Sequence, residues 1–354
     1  MITIVLGTRP EIIKMAPIIR TCQKMDVEFE ILHTGQHYSY EMDRTFFEQL
    51  ELPDADHNLD VGSGDHGEQT GKILSGIEKV LKTSGSDEVL VQGDTNTVMA
   101  GALAASKLHI KVGHVEAGLR SFDRGMPEEI NRVVADHISD HLFAPTNNSK
   151  DLLLKEGIPS EKIFVTGNTI VDSVYQNLEI SKKKVDPVKD LGLKEKGFSL
   201  LTSHRAENVD VKEKFEGIIA GAKLFSDISG IEILYPIHPR ARKFLDLFKI
   251  NTDGIKIIDP VGFLEFLQLE SSARIILTDS GGLQEEACIL KTPCVTLRDN
   301  TERPETVEVG GNILAGTNPD NIVDAAVKML RIKPEWQNPL GDGKSAERIL
   351  EIVN

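Results

Sequence analysis

Cysteine is scarce, with Cys22, Cys288 and Cys294 the only three. They are odd in number, widely spaced and form no CxxC, which excludes a disulfide framework and a thiolate zinc site as organising devices. Positive charge is short as well: 40 Lys and Arg stand against 55 Asp and Glu, a formal charge of −15. Nucleic acid and anionic membranes require basic patches, so neither is the expected partner. Any anion site must be local, built from a few Arg, Lys and helix N-termini. Long apolar runs are missing too. None approaches the ~20 residues that span a bilayer. Ile2–Leu6 stops at Gly7, too early for a signal h-region, and the cytoplasm is the expected compartment. Two nucleotide signatures are absent. No GxGxxG follows a strand-like run, so no dinucleotide cofactor is indicated. Gly343-Lys344-Ser345 lacks the glycine a Walker loop needs at 338, where Asn338 stands. The ten histidines form no recognised metal-ligand cluster, so no metal is expected.

What is present is an ordinary globular composition, 40% apolar and 27% charged over 354 residues, enough for two domains. Short β-branched runs alternate with segments of helical period. Ile2–Leu6, Glu30–His33, Glu88–Gln92 and Lys111–Val115 predict buried strands, with helices over Pro10–Met25, His66–Lys82 and Asn96–Leu108. The alternation restarts with Phe198–Thr202, Ile231–Tyr235, Ile255–Ile258, Arg274–Leu277 and Pro293–Leu297. The Lys-rich stretch Ser181–Gly197, with Pro187 and no strong apolar period, reads as the connection between domains. The expected class is α/β, with two mostly parallel sheets whose strand carboxyl ends would border a cleft.

Three segments carry anion chemistry. Thr278-Asp279-Ser280-Gly281-Gly282-Leu283-Gln284-Glu285-Glu286 follows an apolar run and opens a helix. Its glycines would let a phosphate reach the backbone, where free N–H groups and the helix dipole favour a dianion. Glu286, a turn further on, could accept hydrogen bonds from ribose hydroxyls. An ordinary Ser N-cap with a glycine turn stays open as the alternative. Gly7-Thr8-Arg9-Pro10-Glu11, with Lys14 a turn later, puts cations at a helix start, where they oppose the macrodipole; they await an anion there, or the segment is simply a solvated helix start. Arg303, within Thr301–Glu305, is the third candidate.

Acid–base candidates end strands. Asp94 follows Gly93, and either serves a cleft or caps the helix near Asn96. Glu116 lies between an apolar strand and Ala-Gly, where poor solvation would raise its pKa; a salt bridge with Arg120 is the alternative. Glu128 follows Pro127 at a helix start, for chemistry or as a dipole-stabilised first-turn acid. His204 and Arg205 come directly after Phe198–Thr202. A histidine there can pass a proton to a leaving oxygen, or it is a surface or capping residue. His114 and Glu116 are read as facing opposite sides, a poor metal pair.

In the blocks GTRPEIIKMAP, QGDTNT, HVEAGLRS, MPEEINR, FVTGN, the SHR turn, TDSGGLQEEA and TERPE, in order from residue 7 to residue 306, the chain resembles the non-hydrolysing UDP-N-acetylglucosamine 2-epimerases. The resemblance implies two Rossmann-like domains facing a central cleft, a GT-B-like architecture. Residues 1–170 would form the first, joined by the C-terminal helix of about 338–354, and 171–337 a UDP-binding second. It implies a homodimer, substrate bound in the cleft, and a role in supplying polysaccharide precursors. Motif by motif, Arg9, Lys14, Asp94, Glu116, His204, Ser280, Gly281, Gly282, Glu286 and Arg303 fall on substrate positions, and Asp94, Glu116 and Glu128 on the acids of the chemistry. Near the uracil, Val261 stands where some relatives have Gln, while Phe266 is retained. Bacterial members also bind a second UDP-sugar as activator through a Gln-His pair and an Arg. Here Tyr38 follows Gln36-His37, and Gly62–Gln69 holds no Arg, which counts against activation of that kind. Gln36, His37, His66 and Gln69 are the candidate regulatory residues.

The implied reaction inverts C2 of the sugar, a carbon with no adjacent carbonyl. Transient oxidation would need a nicotinamide, against which the missing fingerprint counts. The other route expels UDP from C1 while a base takes the C2 proton, and then re-adds UDP to the unsaturated sugar. Asp94, Glu116 and Glu128 would share the base and acid roles, with His204 on the leaving phosphate. The rivals are a hydrolysing relative that releases free N-acetylmannosamine, a glycosyltransferase of the same shape and a non-catalytic UDP-sugar sensor.

Overall fold

Two sets of parallel strand ladders organise the chain. The computed structural model describes residues 1–36 and 40–354, the side chains of 40–42 excepted. In the first set, β1 (Ile2–Leu6), β2 (Phe29–His33), β3 (His57–Asn58), β4 (Glu88–Gln92), β5 (Lys111–Val115), β6 (His141–Ala144) and β7 (Ile163–Val165) pair in the order β3-β2-β1-β4-β5-β6-β7. In the second, β8 (Phe198–Thr202), β9 (Glu232–Pro236), β10 (Ile255–Ile258), β11 (Ile275–Thr278), β12 (Cys294–Thr296) and β13 (Asn312–Leu314) pair in the order β10-β9-β8-β11-β12-β13. Every pairing is parallel. Both are doubly wound sheets whose strand order reverses, between β1 and β4 in one and between β8 and β11 in the other. At such a reversal two strand ends diverge and leave a crevice for ligand.

The chain divides into two compact units, Met1–Gln176 with Leu340–Asn354, and Asn177–Pro339. Central strands are buried along their whole length, which is why β1, β4 and β8 are mostly apolar and show no regular polar–apolar alternation. In the first unit, Val5, Leu32, Val89 and Val91 pack against Ile73, Ile77, Val98, Ala102 and Ala105. The helix Asn96–Lys107 is rich in Ala and Gly for a steric reason. A Cβ on Gly101 would lie 3.0 Å from Val91 Cγ1, so a larger residue would lift the helix off the sheet. In the second unit, Leu201, Ile233, Tyr235, Leu277 and Val295 meet Phe215, Ile219, Phe225, Ile322 and Met329.

The final helix, Ser345–Val353, packs in the first unit against the helix Arg9–Met25. Ala346, Ile349 and Leu350 are buried, and the Ala346 amide donates to Asp172 at 3.0 Å.

The reading of Ser181–Gly197 as a connection does not hold. The helix Thr169–Lys184 runs through the division between the units. Ser181 is buried and donates to the Leu264 carbonyl at 2.7 Å, and Val188, Leu191 and Leu193 pack on the cluster of Phe198, Leu234 and Leu269. Few apolar residues scattered among lysines give a weak period, yet they suffice to seat a one-sided segment. The short strands β3, β6, β7 and β13 are additions to the sequence reading.

Candidate active site

In the first unit, candidate residues gather where β1, β4 and β5 end. Glu116 follows β5 with φ 71°, in the left-handed region. For a residue other than glycine this stores about 1–3 kcal/mol of strain, which the surroundings must hold in place. They do so through Lys14 Nζ and Gln92 Nε2, which donate to Glu116 Oε2 at 2.5 and 2.6 Å. Arg120 is not its partner. That guanidinium is turned inward onto Asp136 and Glu156, each at 2.7 Å. The divergence of His114 and Glu116 is real, but alternation is not its cause. Residues two apart on a strand share a face. The left-handed Glu116 backbone turns its carboxylate away, while His114 stays within the strand.

Asp94 does not cap the next helix. Thr95 is the N-cap, its Oγ1 accepting from the Val98 amide. Asp94 instead forms an ion pair with Arg132, and its carbonyl accepts from Asn131 at 2.9 Å. Both partners lie on the helix Pro127–Ile138, whose start carries Glu128. Glu128 and Arg132 are four apart and share a helix face, so Glu128 stands on the side that meets Asp94. Arg9 is half-exposed; it reaches Asp43 at 3.4 Å and lies over the Phe46 ring.

Behind these residues runs a buried charged layer. His114 Nδ1 meets Asp136 at 2.6 Å and its Nε2 meets the Gly93 carbonyl at 2.8 Å. Burial opposes the imidazolium, but Asp136 and that carbonyl outweigh it and raise the His114 pKa. Two acceptors need two donors, so the ring holds both protons. It thereby ties the turn before Asp94 to β5. Glu11 does similar work at the front. Its carboxylate accepts from the Gly7 and Thr8 amides at 2.6 and 2.8 Å and from the Thr95 hydroxyl at 2.5 Å. Burial pushes its pKa up to about 7 against those three donors.

The candidate regulatory residues meet at the same turn. Gln36 Oε1 accepts from Thr97 N and Oγ1 at 2.9 and 2.7 Å. Gln69 donates to the Gln36 and Gly62 carbonyls and accepts from Asn96, whose amide also reaches His66 at 3.3 Å. Gln36 and Gln69 are buried, whereas His66 is exposed; His37 lies outside the described residues.

In the second unit the ends of β8 and β11 face one another across the strand-order reversal. Asp279 is fully buried and collects His204 Nδ1 at 3.2 Å, the Ser203 hydroxyl at 2.8 Å and the Arg205 amide at 3.1 Å. Burial works against its charge, but His204, Ser203 and Arg205 outweigh it and hold its pKa below the usual range. His204 is 42% exposed at the side chain, so with Nδ1 held its Nε2 edge is left toward solvent. Ser280 is an N-cap, accepting from Leu283 N, as the plainer alternative had it. Capping leaves the glycines unexplained. Neither Gly281 nor Gly282 has positive φ, and an added Cβ would meet nothing closer than 3.7 Å. Arg205 Nη2 lies 3.8 Å from the Gly281 Cβ position, and Arg303 pairs with buried Glu285 at 2.5 Å. Phe266 and Val261 are half-buried on the Leu269 cluster.

Sequence reasoning missed Arg132, Asp136, Asp279 and Glu11 as organisers. Each lay inside or beside a quoted block, but each has a partner distant in the chain, 38 residues away for Arg132, 76 for the Ser203–Asp279 pair and 84 for Glu11 and Thr95. Among the described residues no cluster of His, Cys, Asp and Glu suits a metal ion, and no helix is long and apolar enough to cross a membrane.

Over residues 20–354 the chain matches the family model for UDP-N-acetylglucosamine 2-epimerase. It is 58% identical over 359 residues to the UDP-N-acetylglucosamine 2-epimerase of Methanocaldococcus jannaschii, covering 99% of this chain and 98% of that one. A crystal structure of the M. jannaschii UDP-GlcNAc 2-epimerase in complex with UDP-GlcNAc and UDP matches with a TM-score of 0.84 at 58% identity, over 99% of each chain. The UDP-2,3-diacetamido-2,3-dideoxy-D-glucuronate 2-epimerase of Pseudomonas aeruginosa is 40% identical over 354 residues, covering 99% of this chain and 98% of its own. With the family model matching nearly the whole chain and a relative 58% identical along its full length, the chain belongs to the UDP-N-acetylglucosamine 2-epimerase family.

Proposed function

We propose that the protein reversibly converts UDP-N-acetylglucosamine to UDP-N-acetylmannosamine by eliminating and re-adding UDP through a 2-acetamidoglucal. The observation that carries this reading is the chemistry at the two strand-order reversals. One holds carboxylates with their cations, Asp94–Arg132 and Glu116–Lys14. The other holds a glycine-opened helix N-terminus beside His204 and Arg205.

In the forward step a carboxylate takes the C2 proton, the C1–O bond breaks with its electron pair on the UDP oxygen, and a C1–C2 double bond forms. On return C2 gains a proton on its other face and the UDP oxygen re-adds at C1. Asp94, Glu116 and Glu128 share the acid and base roles. Lys14 donates to Glu116 and holds its carboxylate in place. The amides after Ser280, with Arg205 and Arg303, take the diphosphate. His204, oriented by Asp279, donates to the departing oxygen. Glu286 accepts from the ribose hydroxyls, and Phe266 lies beside the uracil.

Incubation with UDP-N-acetylglucosamine in deuterated water tests this. Proton NMR should show deuterium entering C2 while a mannose-configured nucleotide sugar accumulates. Free N-acetylmannosamine with UDP would mean a hydrolysing enzyme, and no exchange without an acceptor would mean a glycosyltransferase. The Pseudomonas relative makes UDP-2,3-diacetamido-2,3-dideoxy-D-glucuronate the competing substrate for the same assay.

A further inference from the structure

We propose that Glu270 is a positioning residue, a neutral carboxylic acid that donates a hydrogen bond to Glu286 and aims it at the nucleoside. The inference rests on the reading of Glu286 as the ribose contact.

Glu270 sits on the helix Phe263–Ser272 and is 1% exposed. Its carboxyl is hydrogen-bonded to that of Glu286, on the helix Gly281–Ile289. Its Oε2 has no hydrogen-bond partner among the described residues. The nearby Thr292 hydroxyl is taken by the Glu270 backbone carbonyl at 3.0 Å. An ionised carboxylate in such a place would be a buried charge with no donor, a state proteins avoid by keeping the proton. Two carboxyl groups in contact cannot both ionise, so one proton lies between them. The more deeply buried Glu270 keeps it, and Glu286, nearer solvent, carries the charge. A ribose donates through its hydroxyls, so it needs Glu286 as an anionic acceptor. Glu270 supplies that state and occupies one Glu286 oxygen, which fixes the direction of the other. Burial and the Glu286 charge raise the Glu270 pKa well above the usual range, in the same sense.

Among the described residues the Cys294 thiol on β12 also faces Glu270, and burial keeps it neutral. The helix Pro187–Asp190, packed on Phe263–Ser272, offers apolar Val188, while its Lys189 and Asp190 are exposed.

The test is calorimetric titration of UDP into the full-length protein and its Glu270→Gln, Glu270→Leu and Glu286→Ala variants, with thermal unfolding to confirm the fold. A Gln donates from the same place, so Glu270→Gln should bind UDP within about threefold of wild type, and Glu270→Leu about tenfold or more weakly. The positioning role is overturned if folded Glu270→Leu binds like wild type, or if Glu270→Gln is as weak as Glu270→Leu. Should Glu286→Ala leave UDP affinity unchanged, the ribose reading falls and takes this one with it. Should Glu286→Ala weaken binding while Glu270→Leu does not, only the positioning role falls.

Discussion

Gly281 and Gly282 are glycines that the fold does not ask for. The backbone does not need glycine at either position and the protein has room for a side chain, so we propose a ligand approaching the backbone as the reason for both. Gly281→Ala should therefore change unfolding free energy by less than about 0.5 kcal/mol, as at a surface site. UDP affinity should nevertheless fall about tenfold or more. Chemical denaturation and calorimetry on the same variant separate the two, and a loss of stability with unchanged affinity would make the glycine structural. The acids have a complementary test. Asp94→Asn and Glu116→Gln keep shape but lose basicity, so turnover should drop by about 10²–10⁴ with UDP binding retained. A variant with near-normal turnover would remove its residue from the chemistry.

At the scale of elements, the site depends on turns stitched to one another. Glu11 closes a capping box on its own helix and also grips Thr95 at the next strand's end. Its pKa rises from 4.5 to about 7 because burial outweighs the donors. The folded state then binds the proton more tightly than the unfolded chain, so this contribution is full below pH 4.5 and is lost as pH climbs to 7. Its size is about 3 kcal/mol at 1.36 kcal/mol per pH unit. Urea unfolding of wild type and Glu11→Gln over that range should show a stability difference that shrinks by this amount, and a constant difference would contradict it.

At the scale of the whole molecule, the chain returns to its beginning. Leu340–Asn354 belongs with Met1–Gln176, so the first unit is closed by the last helix. Leu350 is fully buried there, and Leu350→Ala should cost about 2–5 kcal/mol. Truncation after Pro339 strips the cover from the helix that carries Lys14. Limited proteolysis should then degrade the first unit and leave a resistant fragment starting near Asn177. Equal loss of both halves would show that they do not hold together separately.

Local pattern alone was enough for the α/β alternation, the central strands and the glycine-opened helix start after β11. A buried parallel strand is mostly apolar and a tight strand-to-helix turn is small, so both leave contiguous signals in the residues. What pairs with what lay beyond the sequence. Glu116 joined Lys14 rather than Arg120, Asp94 joined Arg132 rather than a helix start, and Glu270 met Glu286 from another helix. Charge pairing is decided by distance through space, and that distance exists only once the sheets have ordered their strands.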